Sequence, residues 1–379
     1  MHVTHDAPLA PLTTLGLGGP AATLVELTDP GDFTEFVAFV EAGAERGRPP
    51  VSLGAGSNAL VHDDGCSAPV LRMATHGIRR RDRSGEERVL LEVQAGHSLS
   101  DLVATTVGEG LTGMEMLTGI PGTVGATPIQ NVGAYGQEVS DTLVAVRAWD
   151  WQARRRVTIP AAACGLGHRT SRFKGTRRWT VLSLVFALRR SALSAPIGYR
   201  QVAAELDVDL GARVPLAEAA RAVHAVRRGK GMLLECAHPG ERSVGSVFLS
   251  PAISPARATE LRARNAPVNS FPDGSTRVSA SWLIREAGFG PGRPVAPGVR
   301  VSSLHYTLVA EEPVGSATAA GFAAAVEIVR RRVHRHTGVQ LTAEIDYLGD
   351  WEQHSAGKEA SLPFSDASHD GSVTLRIKG

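Results

Sequence analysis

Three glycine clusters in the first third of the chain have the composition of phosphate cradles. They are Gly16-Leu17-Gly18-Gly19-Pro20-Ala21, Gly54-Ala55-Gly56-Ser57-Asn58-Ala59 and Gly119-Ile120-Pro121-Gly122-Thr123-Val124-Gly125-Ala126. Small residues let backbone N–H groups approach an anion and form a concave nest. The first cluster mimics GxGxxA but comes after a proline-rich start rather than a strand. The second comes after the strand-like Val51-Ser52-Leu53. A nicotinamide-type dinucleotide fold also needs a helix to begin at the glycines, because its N-terminus holds the pyrophosphate. Here the chain continues from Leu60 to Gly65 as another short strand and turn, so that fold is rejected and the nest is kept. The third cluster runs on through Pro128, Gln130, Asn131, Gly133, Ala134, Tyr135 and Gly136. Plain turns would use some of these residues, but small-residue nests separated by β segments favour a bound diphosphate.

The second and third clusters carry a specific resemblance. Leu53 to Asn58 and Gly119 to Gly136 (GIPGTVGATPIQNVGAYG) are similar to the two flavin-binding loops of the UDP-N-acetylenolpyruvoylglucosamine reductase family, also called UDP-N-acetylmuramate dehydrogenase. The similarity runs from about Leu12 to Gly349. It implies an α+β chain with the FAD-binding fold of the vanillyl-alcohol-oxidase superfamily (PCMH type), in which two α/β subdomains hold FAD noncovalently. A C-terminal α+β domain would bind substrate. The expected divisions are 12–190 for the FAD-binding domain (subdomains about 12–74 and 75–190), 191–350 for the substrate domain, and 352–379 for a disordered tail. The implied cofactor contacts are Gly54, Ala55, Gly56, Ser57, Asn58, Gly119, Gly122, Thr123, Gly125 and Ala126.

The implied reaction is reduction of the vinyl ether of an enolpyruvyl UDP-sugar to a lactyl ether, with NADPH as hydride donor. Negative charge then develops beside a carboxylate, so the site needs fixed positive charge and a proton donor. Arg169, in Gly167-His168-Arg169-Thr170-Ser171-Arg172-Phe173-Lys174, matches the family's carboxylate-binding arginine. A planar guanidinium suits a carboxylate. Alone, one arginine in so arginine-rich a chain would read as a surface residue. Ser246, in Ser243-Val244-Gly245-Ser246-Val247-Phe248, matches the proton-donating serine; without the resemblance it reads as a turn residue. Glu344, in Leu341-Thr342-Ala343-Glu344-Ile345, matches the active-site glutamate. It sits in an apolar stretch where burial would raise its pKa, unless it marks the exposed face of an edge strand.

Substrate contacts are implied at Tyr199, a lid tyrosine of one family subtype, at Lys230, a diphosphate lysine, and at Ser250 and His305. The family usually carries tyrosine where His168 stands, an Asn-Pro pair where Ser250-Pro251 stands, and lysine where Leu304 stands. That asparagine contacts the nucleotide. Two other readings therefore stay open: a paralogous FAD reductase acting on a related enol ether, and a flavin-binding protein without turnover. Joint retention of Arg169, Ser246 and Glu344 opposes the second.

These residues need elements to position them. Phe33, Phe36, Val37 and Val40 have helical spacing and predict a helix over 31–46. A strand is expected at 88–94, a helix at 99–109 capped by Ser98 or Ser100, and long β-rich strands at 143–151 and 180–188. Composition shifts at 189–200. Helices are expected beyond it at 216–228, 254–264, 279–288 and 316–336, the last closed by Gly338, and a strand over 340–348. Arg79, Arg80 and Arg81 read as a solvated hairpin tip answered by Glu86 and Glu87.

Composition narrows the class. The chain has 379 residues, 43% hydrophobic and 21% charged, with a net charge of +2. That is an ordinary globular balance and gives no case for nucleic acid or a membrane surface. Cys66, Cys164 and Cys236 show no metal or disulfide spacing, and His334 and His336 make only an isolated pair, so no metal is expected. The start lacks a signal-peptide pattern and no apolar run could span a bilayer, so a cytoplasmic location is expected. A monomer is expected. Of 40 lysines and arginines only Lys174, Lys230, Lys358 and Lys378 are lysines. Lysine at 174 and 230 hints that a compact ammonium is wanted there.

Overall fold

A computed structural model describes residues 1–43, 49–81, 87–234, 240–271, 273–313, 315–349 and 351. The expected tail and Glu86 lie outside the described residues, as does Cys236.

The first unit is a four-stranded sheet in the order His2–Pro8, Pro20–Leu27, Val70–Met73, Val51–Leu53, antiparallel at its first pair and parallel thereafter. Helix Phe33–Ala42 buries Phe33, Phe36, Val37 and Val40, the face its spacing predicts. Phe33 and Phe36 meet Trp149 and Trp151 edge-on at 5.8 and 6.1 Å, which packs this helix onto the second sheet. Each such fully buried large side chain contributes about 1.5–3 kcal/mol.

The second sheet is antiparallel, in the order Arg155–Pro160, Leu143–Asp150, Trp179–Arg190, Arg88–Gln94, Ile78–Arg80. Helix Leu99–Gly108 begins at Ser98, whose hydroxyl accepts from the Asp101 N–H at 3.3 Å. The arginine triplet departs from expectation. Arg79 and Arg81 pair with Glu92, which is only 4% exposed, and Arg80 pairs with Glu109. Arg147 reaches the same Glu92 at 2.7 Å. A buried carboxylate on the sheet face, rather than a solvated tip, gathers these cations.

Beyond Arg190 a helix at Arg200–Leu206, not expected from the sequence, pairs with helix Leu216–Gly229. Their apolar faces pack on Met116 and Tyr135 of the preceding sheet unit, separately from the C-terminal core. That core surrounds a short sheet in the order Glu241–Arg242, Leu308–Glu311, Val299–Val301, Pro294–Ala296. Helix Ala319–Thr337 covers it with Phe322, Val326, Val329 and Val333 and stops at Gly338, φ +68°, where left-handed backbone suits glycine.

Three links fasten the C-terminal unit to the first. Leu15, Leu17 and Leu60 enter its core. The Asp63 carboxylate accepts from the N–H groups of Ala319 and Ala320, both at 2.8 Å, capping the long helix from outside. The last strand, Asp346–Leu348, pairs in parallel with Ala59–Val61. This corrects the expected strand over 340–348: only its final three residues form one, and residues 341–345 instead run beside the Val247–Leu249 backbone.

Candidate active site

Strand Val51–Leu53 delivers the second glycine cluster directly against the third. A Cβ on Gly54 would lie 2.8 Å from Thr123 Oγ1 and 3.3 Å from Ala126 Cβ, and one on Gly125 would lie 2.6 Å from Ala95 Cβ. Gly56 has φ +62°, and a Cβ there would sit 2.2 Å from the Leu12 carbonyl oxygen. Ser57 Oγ donates to the Pro121 carbonyl at 3.3 Å, locking one loop to the other. The N–H groups of Ala55, Gly56 and Ser57 meet no main-chain acceptor among the described residues. Unpaired N–H groups on a close-approach loop are the donor set an anionic diphosphate requires. The loops open on a cleft of about 480 Å³, whose walls include Gly54, Thr123, Gly125, Ala126, Phe173, Trp179 and the C-terminal strand. Apolar walls with a few polar groups suit a flavin dinucleotide.

Of the predicted catalytic residues, Arg169 and Glu344 meet beside the third glycine cluster, and Ser246 lies on the segment next to Glu344. Arg169 takes a left-handed backbone, φ +52°, and its guanidinium donates to the carbonyls of Asn131 and Gly133 at 3.2 and 2.6 Å. Its Nε lies 3.0 Å from Glu344 Oε1. Glu344 also accepts weakly from Gln130 Nε2 at 3.4 Å. Its backbone N–H donates to the Val247 carbonyl at 2.8 Å, which sets Ser246 on the neighbouring segment. Ser246 is exposed. The loop holding it is pinned by Thr307, whose hydroxyl donates to the Gly245 carbonyl and accepts from the Val247 N–H.

Burial pushes the Glu344 carboxyl above its ordinary range; Arg169 and Lys174 pull it back without cancelling the effect. Asp346 is raised for the same reason, again opposed by Lys174. Lys174 Nζ donates to Gln130 Oε1 at 2.9 Å and to the Glu344 carbonyl at 3.1 Å, and lies 3.7 Å from Asp346. Asn58 Nδ2 reaches Gln130 Oε1, the Glu344 carbonyl and Asp346 Oδ2 at 3.1–3.3 Å. Gln130, Asn131 and Asp346 therefore join the site, although sequence reasoning does not single them out as site residues. Gln130 and Asn131 lie inside the third glycine motif, and their signal is polarity amid glycines. Lysine at 174 stands out for its rarity, and a compact, multiply bonded ammonium is what the structure holds there.

A second group forms around Lys230. Its ammonium lies 5.6 Å from the Tyr135 ring centroid and 5.9 Å from that of Tyr199, and donates to Gln201. The two tyrosines meet edge-on at 5.1 Å. Burial, then Arg227, holds the Lys230 ammonium below its usual pKa. Arg227 donates to the carbonyls of Gly119 and Met232, tying this group to the third glycine cluster. His305 belongs here. Burial lowers its pKa, with Glu241 and the Lys230 backbone opposing, and both ring nitrogens are buried. Ser250 makes its described contact elsewhere, accepting from the Ala280 N–H at 3.4 Å at a helix start. Leu304 is exposed. His168 is pushed down to about 4 by burial, then by Arg277 and Arg169, so it is neutral near pH 7.

Glycine loops with open N–H donors, a cleft and an adjoining guanidinium–carboxylate pair are parts that a flavin-binding protein needs. In keeping with this, a family model described as FAD binding domain matches residues 27–158. A second, described as UDP-N-acetylenolpyruvoylglucosamine reductase, C-terminal domain, matches residues 238–348. Proteins named UDP-N-acetylenolpyruvoylglucosamine reductase from Salinispora arenicola and Thermobifida fusca are each 41% identical, covering 91% of this chain and 95% and 98% of theirs. The chain belongs to the UDP-N-acetylenolpyruvoylglucosamine reductase family. A crystal structure of the reductase from Thermus caldophilus has the same fold, with a TM-score of 0.60 at 24% identity over 91% of this chain and 98% of that one. The chain is thus an FAD-dependent oxidoreductase with the α+β FAD-binding fold.

Proposed function

We propose that this chain reduces UDP-N-acetyl-3-O-(1-carboxyvinyl)-glucosamine to UDP-N-acetylmuramate, a peptidoglycan precursor, using NADPH and noncovalent FAD, as a cytoplasmic monomer. Residues 12–190, joined by the closing strand Asp346–Leu348, hold FAD, and 191–345 bind substrate. The contact that carries the reading is Arg169 against Glu344, with Ser246 on the adjoining segment, beside the FAD cleft. Among the described residues no helix is long and apolar enough to cross a membrane, which is consistent with the proposed location.

FAD supplies a hydride acceptor and donor; everything else falls to the protein. Gly54 to Asn58 and Gly119 to Ala126 hold its diphosphate. Arg169 stabilises charge that builds on the substrate carboxylate, through the N–H groups not spent on Asn131, Gly133 and Glu344. Ser246 Oγ delivers a proton to the substrate carbon. Glu344, whose carboxyl burial shifts toward the protonated form, supports that transfer. Lys230 and Tyr199 take the UDP diphosphate and close over it, and His305 and Ser250 complete the substrate contacts. The balance is one hydride from NADPH and one proton for each double bond reduced.

A paralogue acting on another enol ether is the second reading. It is favoured by a neutral His168 and by Ser250 being engaged at a helix start. The purified protein should be yellow, release FAD on acid precipitation and consume NADPH when given the enolpyruvyl UDP-sugar. Flavin reduction by NADPH without turnover of that substrate would favour the paralogue; a colourless protein that takes up no FAD would remove both.

A further inference from the structure

We infer that residues 346–349 and Trp351 form a cofactor clamp, in which Trp351 offers a stacking surface to one of the two planar ring systems of FAD. The inference rests on the proposed FAD cleft and adds a residue outside its glycine loops.

Asp346, Tyr347, Leu348, Gly349 and Trp351 all line the cleft of about 480 Å³, although they come from the far end of the chain. The register Asp346–Ala59, Tyr347–Leu60, Leu348–Val61 zips this segment to the strand that leaves the diphosphate loop 54–58. Asp346 secures its start through Asn58 and Lys174. Gly349 then turns at φ +95°, so close that a Cβ would lie 2.1 Å from the Gly65 carbonyl oxygen. No side chain fits there, and Trp351 lines the same cleft.

The indole is held in one plane. Its Nε1–H donates to the Leu348 carbonyl at 2.9 Å. His62 and Tyr347 stand nearly perpendicular to it, with centroids at 4.7 and 5.2 Å. Burial raises the Tyr347 hydroxyl to about 12, so the phenol beside the indole stays uncharged at neutral pH. A pre-oriented tryptophan on the wall of a ring-binding cleft is a stacking platform whose ordering cost is already met by folding.

The test strips FAD from the full chain and from Trp351→Leu and Trp351→Phe, then titrates each with FAD, FMN and ADP. Flavin fluorescence tracks the first two and calorimetry the third. FAD affinity should fall about ten-fold in Trp351→Leu, the size of one base–aromatic stack, and only about two-fold in Trp351→Phe. A loss shared by FAD and ADP puts adenine on the indole; one shared by FAD and FMN puts the isoalloxazine there, and either supports the clamp. Unchanged FAD affinity in Trp351→Leu overturns it. So does equal loss in both variants, because a merely structural tryptophan would not distinguish phenylalanine as a ring. Thermal melting of the stripped proteins identifies a variant that is simply unfolded, and Trp351→Phe then decides. Failure of the unmodified chain to bind FAD would instead sink the cofactor assignment itself.

Discussion

The Arg169 cluster and the Lys230 cluster sit at the same site but are built differently. Arg169 is held by two main-chain carbonyls and a carboxylate, on a residue with left-handed backbone. Its partner Glu344 is 13% exposed and tied into a network with Gln130, Lys174 and Asn58. Lys230 is held by ring faces and one glutamine, under a Tyr199 that is 43% exposed. The first arrangement is fixed by several bonds to the protein itself, the second by fewer contacts under a half-open ring. Substitutions in the first should therefore fall on kcat, and in the second on KM.

The largest effect should come from Ser246→Ala. NADPH reduction of the flavin should stay near the unmodified rate, while transfer to substrate slows by about three orders of magnitude, the range of a lost general acid. Stopped-flow traces of each half-reaction check this; equal damage to both would make Ser246 part of the flavin site. Next is Arg169→Lys, which keeps charge but loses the planar fork. Steady-state kinetics should show kcat down about 100-fold with KM changed much less. A mainly KM effect would erase the contrast between the clusters.

Glu344→Gln should be milder than Glu344→Ala and should flatten the alkaline limb of the pH–rate profile. The raised pKa sets the sign: the donor is protonated below the folded pKa and lost as pH rises through it. If glutamine is as inactive as alanine at every pH, the neutral-donor role is wrong. Smallest are Lys230→Met and Tyr199→Leu, expected to raise KM about ten-fold and about three-fold with kcat nearly unchanged, as for groups that bind ground and transition states alike.

Much of this was legible in the sequence because it rests on local rules. The glycine clusters had to be glycine where Gly54 meets Thr123 and Gly56 meets the Leu12 carbonyl. Helix ends were announced by Ser98, offered beside Ser100, and by Gly338, each found capping as its type demands. The rest stayed hidden because it depends on contacts distant in sequence. Nothing local shows that Arg79, Arg81 and Arg147 converge on Glu92, or that Asp346 reaches Asn58 across 288 positions. The stretch 340–345 has strand-like residues but finds its partners in an irregular loop near Val247, so only 346–348 became a strand. Trp351, beside a polar tail, gave no pattern at all until the fold brought it to the cleft.

The central claim is that this site passes hydride from NADPH through FAD to the enolpyruvyl UDP-sugar. It is tested most directly by anaerobic double mixing: NADPH first, then the enolpyruvyl UDP-sugar, with flavin absorbance recorded throughout and product identified by mass. Bleaching is expected in the first mix, then full recovery of the oxidised spectrum in the second, with one UDP-N-acetylmuramate formed per flavin reoxidised. A flavin that bleaches with NADPH and stays bleached with that substrate would contradict it.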